Sequence, residues 1–158
     1  MKIFNNIEIP TNYKISALAI GNFDGVHKGH QEVFKETRKF AKRKKIKFGV
    51  LTFTPLPIMF FYKNIKNFRL TSENQKIELF KKHQIDFVIN IKFNKKFSEI
   101  SANDFLKKII YKKMNPQLLS VSNNFKFGRK RKGDVNLLKK FSNKYDYQLL
   151  NIKPFKYQ

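Results

Sequence analysis

Cysteine is absent from this chain. Disulfides and thiolate-held metals are therefore excluded, and a reducing compartment is the simpler setting. Long apolar runs are missing too. Past the N-terminal region the longest is Ile58 to Tyr62, far short of the roughly 20 residues that a membrane span needs. The opening MKIFNNIEIPTNYKISALAI has no signal-peptide core, because Ile15 to Ile20 is short and contains Ser16. These absences lead to the expectation of a soluble, cytoplasmic protein without a membrane partner. Acids are scarce as well, 11 against 34 lysines and arginines, for a net charge of +23. Such an excess attracts polyanions. However, 29 of those bases are lysines spread along the whole chain, and alanine occurs only four times. Asn, Ile, Phe and Lys abound, and these are the residues that AT-rich codons specify. Charge of that origin decorates solvated faces and names no specific nucleic acid, although phosphate-rich ligands benefit from it.

What is present suffices for one core. A length of 158 residues with 41% hydrophobic residues suits a single folded domain. Apolar runs alternate with helical patterns. Strands are expected at 17–21, 47–53, 86–91, 117–121 and 147–152. A helix is expected over 29–45, with Val33, Phe34, Thr37, Phe40 and Ala41 repeating at helical spacing. Ser72 with Gln75 forms a capping-box pattern before a helix that reaches His83, a residue placed to cap its C-terminal end. Ser101 opens a helix with the stripe Phe105, Leu106, Ile109 and Ile110, and Asp134 opens one carrying Leu138, Phe141 and Tyr145. Strands alternating with helices predict an α/β fold, a parallel sheet of about five strands covered on both faces. Segments 64–69 and 127–133 are expected to be mobile loops.

The first strand runs into GNFDGVHKGHQ, Gly21 to Gln31. Ligands in open α/β sheets sit at the carboxyl ends of strands, near the point where strand order reverses. The N–H groups that begin the following helix, and the positive end of its dipole, favour an anion. Gly21, Gly25 and Gly29 allow close backbone approach. His27 and His30 are three apart and can share one helix face, where imidazole N–H groups can stabilise growing phosphate charge. A plainer reading has Asp24 and the histidines capping the helix. Zinc is a weaker one, because no third histidine or cysteine joins the pair.

GNFDGVHKGHQ resembles the G-x-F-D-G-x-H-x-G-H signature of the bacterial FAD synthetases, the FMN adenylyltransferase modules of bifunctional riboflavin kinase/FAD synthetases. Further matches follow in order: LTSENQKIELFKKHQIDFVINIKF, SEISANDFLKKII and VSNNFKFGRKRKGD, the last resembling G-x-[DN]-F-x-F-G-x-x-x-x-G. The resemblance covers about residues 16–138. It implies a Rossmann-like nucleotidylyltransferase fold and the transfer of AMP from ATP to FMN, giving FAD and pyrophosphate, with Mg²⁺ accompanying ATP. It also implies an ATP site at Gly21, Asn22, Phe23, Asp24, His27, Gly29 and His30, with His27 and His30 at the reacting phosphates. Pro55 and Pro57 would border the flavin, with Asn124 touching it and Phe125 and Gly128 shaping that loop. No protein metal ligand is assigned.

The chain departs from the family pattern at three places. Thr54 and Leu56 stand where the family usually has Asp and His, and Asn123 stands where a charged neighbour is common. The I-S-S-T-x-I-R motif and any segment like the kinase module are not found in these 158 residues. The expectation is thus one nucleotidylyltransferase domain over 1–158, C-terminally incomplete by the family's pattern. The alternatives are an inactive ATP- or FMN-binding remnant, or adenylyl transfer to another acceptor.

Overall fold

The structure, a computed structural model, describes residues 1–62 and 71–153. In chain order the elements are β1 (Lys2–Phe4), β2 (Ala17–Ile20), α1 (Lys28–Lys44), β3 (Phe48–Thr54), α2 (Pro57–Phe61), α3 (Glu73–Lys82), β4 (Phe87–Lys92), α4 (Lys95–Ser98), α5 (Ala102–Asp104), β5 (Leu118–Ser122), α6 (Val135–Lys140) and β6 (Gln148–Ile152). Helix α5 runs directly into a stretch of wider, π-type turns, Phe105–Met114. There the Asn115 N–H reaches back five residues to the Ile110 carbonyl at 2.7 Å.

All strand pairs are parallel, in the order β1-β4-β3-β2-β5-β6. The sheet has six strands where the sequence reading has five. The additional one is β1, three residues pairing Lys2 to Phe4 with Phe87 to Ile89 of β4. Two of its residues are exposed, so neither alternation nor a buried run announces it.

Successive side chains of β2 point to opposite faces, which divides the core in two. Ala17 and Ala19 meet Val33, Phe34, Phe40 and Ala41 of α1 and Phe80 of α3. Leu18 and Ile20 meet Phe105, Leu106, Ile109 and Ile110 on the other side. Every apolar position expected on α1 is buried. The Ser72/Gln75 capping box is formed, with both bonds present, and His83 stands at the C-cap of α3. Ser101 and Asp134 accept the backbone N–H groups of Asp104 and Leu137. Helix α6 ends before Phe141, and Tyr145 is buried from the turns that follow.

The segment 127–133 differs from expectation. Phe127 and Gly133 exchange both backbone hydrogen bonds, at 3.1 and 2.8 Å, and Arg129 N–H donates to the Ile100 carbonyl at 2.8 Å. Its glycines and basic residues suggest a free loop, but the Phe127 side chain anchors it in the core. The other expected loop, 64–69, lies outside the described residues. Among the described residues, no helix is long and apolar enough to cross a membrane.

Candidate nucleotide site

From β2 the chain proceeds outward through β3 and β4, then crosses back to β5 on the other side of β2. Strand order therefore reverses between β2 and β5, and a crevice opens beyond their carboxyl ends. The loop after β2 occupies this place.

Gly21 N–H still bonds into the sheet, at 3.2 Å from the Leu51 carbonyl. The backbone then turns sharply. Phe23 adopts a left-handed conformation with φ 51°, and Gly25 follows with φ 77°, a region that favours glycine. The Phe23 ring is 2% exposed. It wedges between Phe34, at 4.8 Å between ring centroids, and His30, at 5.2 Å. Of the residues implied for ATP, Phe23 therefore supports the loop from beneath and offers a ligand only its backbone, while Asn22 is exposed.

Asp24 does not cap α1. Its Oδ1 accepts from Thr71 N–H at 3.1 Å and from Thr71 Oγ1 at 3.2 Å. Thr71 Oγ1 accepts in turn from Gly25 N–H at 3.4 Å. The carboxylate thus fastens the loop to the residue that leads into α3. His27 occupies the N-cap of α1 without a side-chain bond to the helix, and the first turn holds no acid. The plain capping reading therefore fails for both residues. The N-cap side chain thus makes no bond to the leading N–H groups of α1, and no acid stands in the first turn against the positive dipole end.

The two imidazoles stack, 3.6 Å between centroids and 23° between planes. Gly29 leaves room for this, since a Cβ there would lie 3.1 Å from His27 Cε1. His27 is exposed. His30 is half-buried, and its Nδ1 is buried without a hydrogen-bond partner. Burial first, then the neighbouring His27, pulls the His30 pKa from 6.5 down to about 4; Asp24 opposes this and Lys76 adds to it. At neutral pH His30 is an uncharged imidazole that can donate one N–H. Among the described residues, no group of three His, Cys, Asp or Glu could hold a metal ion.

The residues implied for the flavin lie on both sides of this loop, because β2 sits between β3 and β5. After β3, Pro55 is exposed behind a cis Thr54–Pro55 bond, and Pro57 begins α2. Leu56, standing where the family usually has His, is 4% exposed. Thr54 Oγ1 donates to Asn90 Oδ1 at 2.7 Å and lies 3.3 Å from Glu73 Oε2. After β5, Asn124 is exposed and accepts from Ser122 Oγ at 2.9 Å. Phe125 stacks on Phe127 at 5.5 Å, and both rings are buried. They form the floor of the loop rather than its surface. Gly128, with φ 77°, lies against Ala102, where a Cβ would come within 2.6 Å of backbone.

Sequence reasoning missed Thr71, Thr52 and Lys76. Thr71 lies in the Leu-Thr dipeptide before α3 and carried its own signal as a hydroxyl beside a capping box. Lys76 carried one too, as a lysine four residues before Phe80 on the inward face of α3.

Residues 9–158 match the family model described as FAD synthetase. The bifunctional riboflavin kinase/FMN adenylyltransferase of Buchnera aphidicola subsp. Acyrthosiphon pisum is 37% identical over 158 residues, 98% of this chain and 50% of that protein. The protein of the same description from Escherichia coli K12 is 29% identical over 138 residues, 87% of this chain and 44% of its own length. The chain spans about half the length of these curated relatives. Among solved structures, a Streptococcus pneumoniae protein described as a macrolide-efflux protein superposes with a TM-score of 0.82 at 22% identity, over 99% of this chain and 52% of its own. A pantoate-beta-alanine ligase from Francisella tularensis gives 0.58 at 12% identity, over 99% of this chain and 68% of its own. These two likenesses speak only to the fold. The family match and the Buchnera relative decide the question of kinship: this chain belongs to the FAD synthetase family.

Proposed function

We propose that the chain is an FMN adenylyltransferase, transferring AMP from ATP to FMN to give FAD and pyrophosphate. The observation that carries this is the loop after β2: a helix start whose N-cap is His27, with a stacked histidine pair, at the point where strand order reverses. ATP phosphates would lie at the first N–H groups of α1, beside His27 and His30, with Gly21 to Asp24 shaping the approach. An FMN phosphate oxygen attacks the α-phosphorus of ATP. The bond from that phosphorus to the bridging oxygen breaks, and pyrophosphate leaves. No protein nucleophile is needed, so the residues act by positioning and by stabilising charge. Pro55 and Pro57 on one side, with Asn124 and its loop on the other, would hold the flavin end of FMN.

Mg²⁺ fits here as an ion delivered on the nucleotide. It keeps several waters and binds through substrate phosphates more readily than in an all-protein cage. The donor set agrees, because the only carboxylate in the loop, that of Asp24, is already engaged by Thr71. When bound, the ion neutralises charge on the departing pyrophosphate.

The test is direct. Folded protein is incubated with FMN, ATP and Mg²⁺, and products are separated by chromatography. FAD and pyrophosphate in equal amounts are expected. A well-folded sample that yields no FAD overturns the assignment.

A further inference from the structure

Helix α3 directs one lysine into the protein. Lys76 is 3% exposed, one turn before the fully buried Phe80, and its Nζ lies 6.0 Å from that ring's centroid. An ammonium in such a place carries a desolvation cost of several kcal/mol, which good partners must offset. Its Nζ donates to Thr52 Oγ1 in β3, at 2.9 Å. Thr52 Oγ1 in turn donates to the Asn22 carbonyl at 3.2 Å. A relay therefore runs from α3 through β3 into the loop between Gly21 and Phe23. The charge of the same ammonium also contributes to the lowered His30 pKa. The acids nearby are Asp24, held by Thr71, and Glu73, one turn earlier on α3 beside Thr54. A leucine or methionine at position 76 would fill the space without any charge to desolvate. The charge thus has a use that simple filling of the core does not need.

We propose that Lys76 is a positioning residue of the phosphate site: through Thr52 it fixes the Asn22 carbonyl, and its buried charge forms a positive pole behind the His27–His30 pair without touching the nucleotide. This rests on the ATP-site reading above. It adds a residue outside the G-x-F-D-G-x-H-x-G-H run, on a different element and joined to it only through the fold.

Three variants test it: Lys76→Met, which keeps the stem and removes the charge, Lys76→Arg, which keeps the charge, and Thr52→Val, which cuts the relay and leaves the lysine. The readouts are thermal unfolding, calorimetric affinity for MgATP and for FMN, and the NMR titration of His30. Lys76→Met is expected to fold and to bind MgATP about tenfold more weakly, as loss of one buried charge near a polyanion implies. Its FMN affinity should change by less than about twofold, since the flavin end contacts other loops. His30 should titrate at higher pH in Lys76→Met and stay near its wild-type value in Lys76→Arg and Thr52→Val. Thr52→Val should weaken MgATP binding while leaving FMN binding intact. Should Lys76→Met not fold, Thr52→Val and Lys76→Arg carry the same comparison. Wild-type MgATP affinity in both Lys76→Met and Thr52→Val, or an unmoved His30 titration in Lys76→Met, overturns the proposal. A folded wild-type chain that binds no MgATP overturns the ATP-site reading instead, while the His30 titration still tests the lysine's charge.

Discussion

His27 and His30 lie face to face, their ring centroids 3.6 Å apart. Burial and the neighbouring ring together keep His30 uncharged at neutral pH in the ligand-free protein. A polyphosphate alters that balance, since its charge favours the protonated form of any imidazole beside it.

We therefore expect MgATP binding to be coupled to proton uptake. The His30 pKa of about 4 in the free protein rises when phosphate sits against the ring. Affinity should then increase as pH falls from 8 toward about 5, staying above the free-state value. Calorimetry in two buffers of different ionisation enthalpy checks this, with a net uptake of protons near pH 6. Equal heats in both buffers would mean that the pair meets phosphate only as neutral N–H donors.

The same histidine makes the fold acid-sensitive. In the unfolded chain His30 takes up its proton near 6.5, and in the folded chain only near 4. Between these values the unfolded state binds more protons, so acid favours unfolding. The sign follows directly: stability is full above about pH 6.5, declines as pH falls toward 4, and levels off below. A shift of this size corresponds to about 3 kcal/mol. Urea denaturation at pH 7 and pH 4.5 should show most of that loss in the wild type. His30→Asn, which does not titrate here, should show a distinctly smaller one.

Asp24 is the acid of the G-N-F-D-G run, and its partner is Thr71, 47 positions away in the chain. Thr71→Val removes the hydroxyl that donates to the carboxylate and accepts from Gly25. A hydrogen bond to a charged group contributes about 2 kcal/mol. We expect a stability loss of that order and weaker MgATP binding, with FMN binding much less affected. Denaturant titration and paired calorimetry measure both. Equal loss for the two ligands would point to general loosening instead of a loop-specific effect.

Much of this was legible from local chemistry. Val33, Phe34, Thr37, Phe40 and Ala41 repeat at 3.6 residues because α1 lays one face on the sheet, and that periodicity is a property of the sequence itself. Ser72 and Gln75 announce α3 because both bonds of the capping box are local. What escaped reading depends on distant pairings. Strand β1 is three residues long and is held mainly by β4, more than eighty positions later. The 127–133 loop looked free because its bridge and the burial of Phe127 are tertiary. At the site, the H-x-G-H spacing placed His27 and His30 together, whereas the partners of Asp24 and the relay from Lys76 to Asn22 exist only once α3 is laid beside β3.

Gly49 provides a test of the sheet itself, away from the proposed chemistry. It pairs with Phe87 across β3 and β4, and a Cβ at position 49 would lie 2.2 Å from Phe87 Cζ. Both residues are buried, so the ring has no room to withdraw. Gly49→Ala should therefore destabilise by about 2 kcal/mol, in the range seen for overpacked cores. Phe87→Leu alone should destabilise too, through the volume it vacates. The two changes touch the same space, so together they should cost less than their sum, by about 1 kcal/mol. Urea denaturation of the four proteins closes this cycle. Strict additivity would mean that the Gly49 position relieves the added methyl by moving backbone, not by displacing the Phe87 ring.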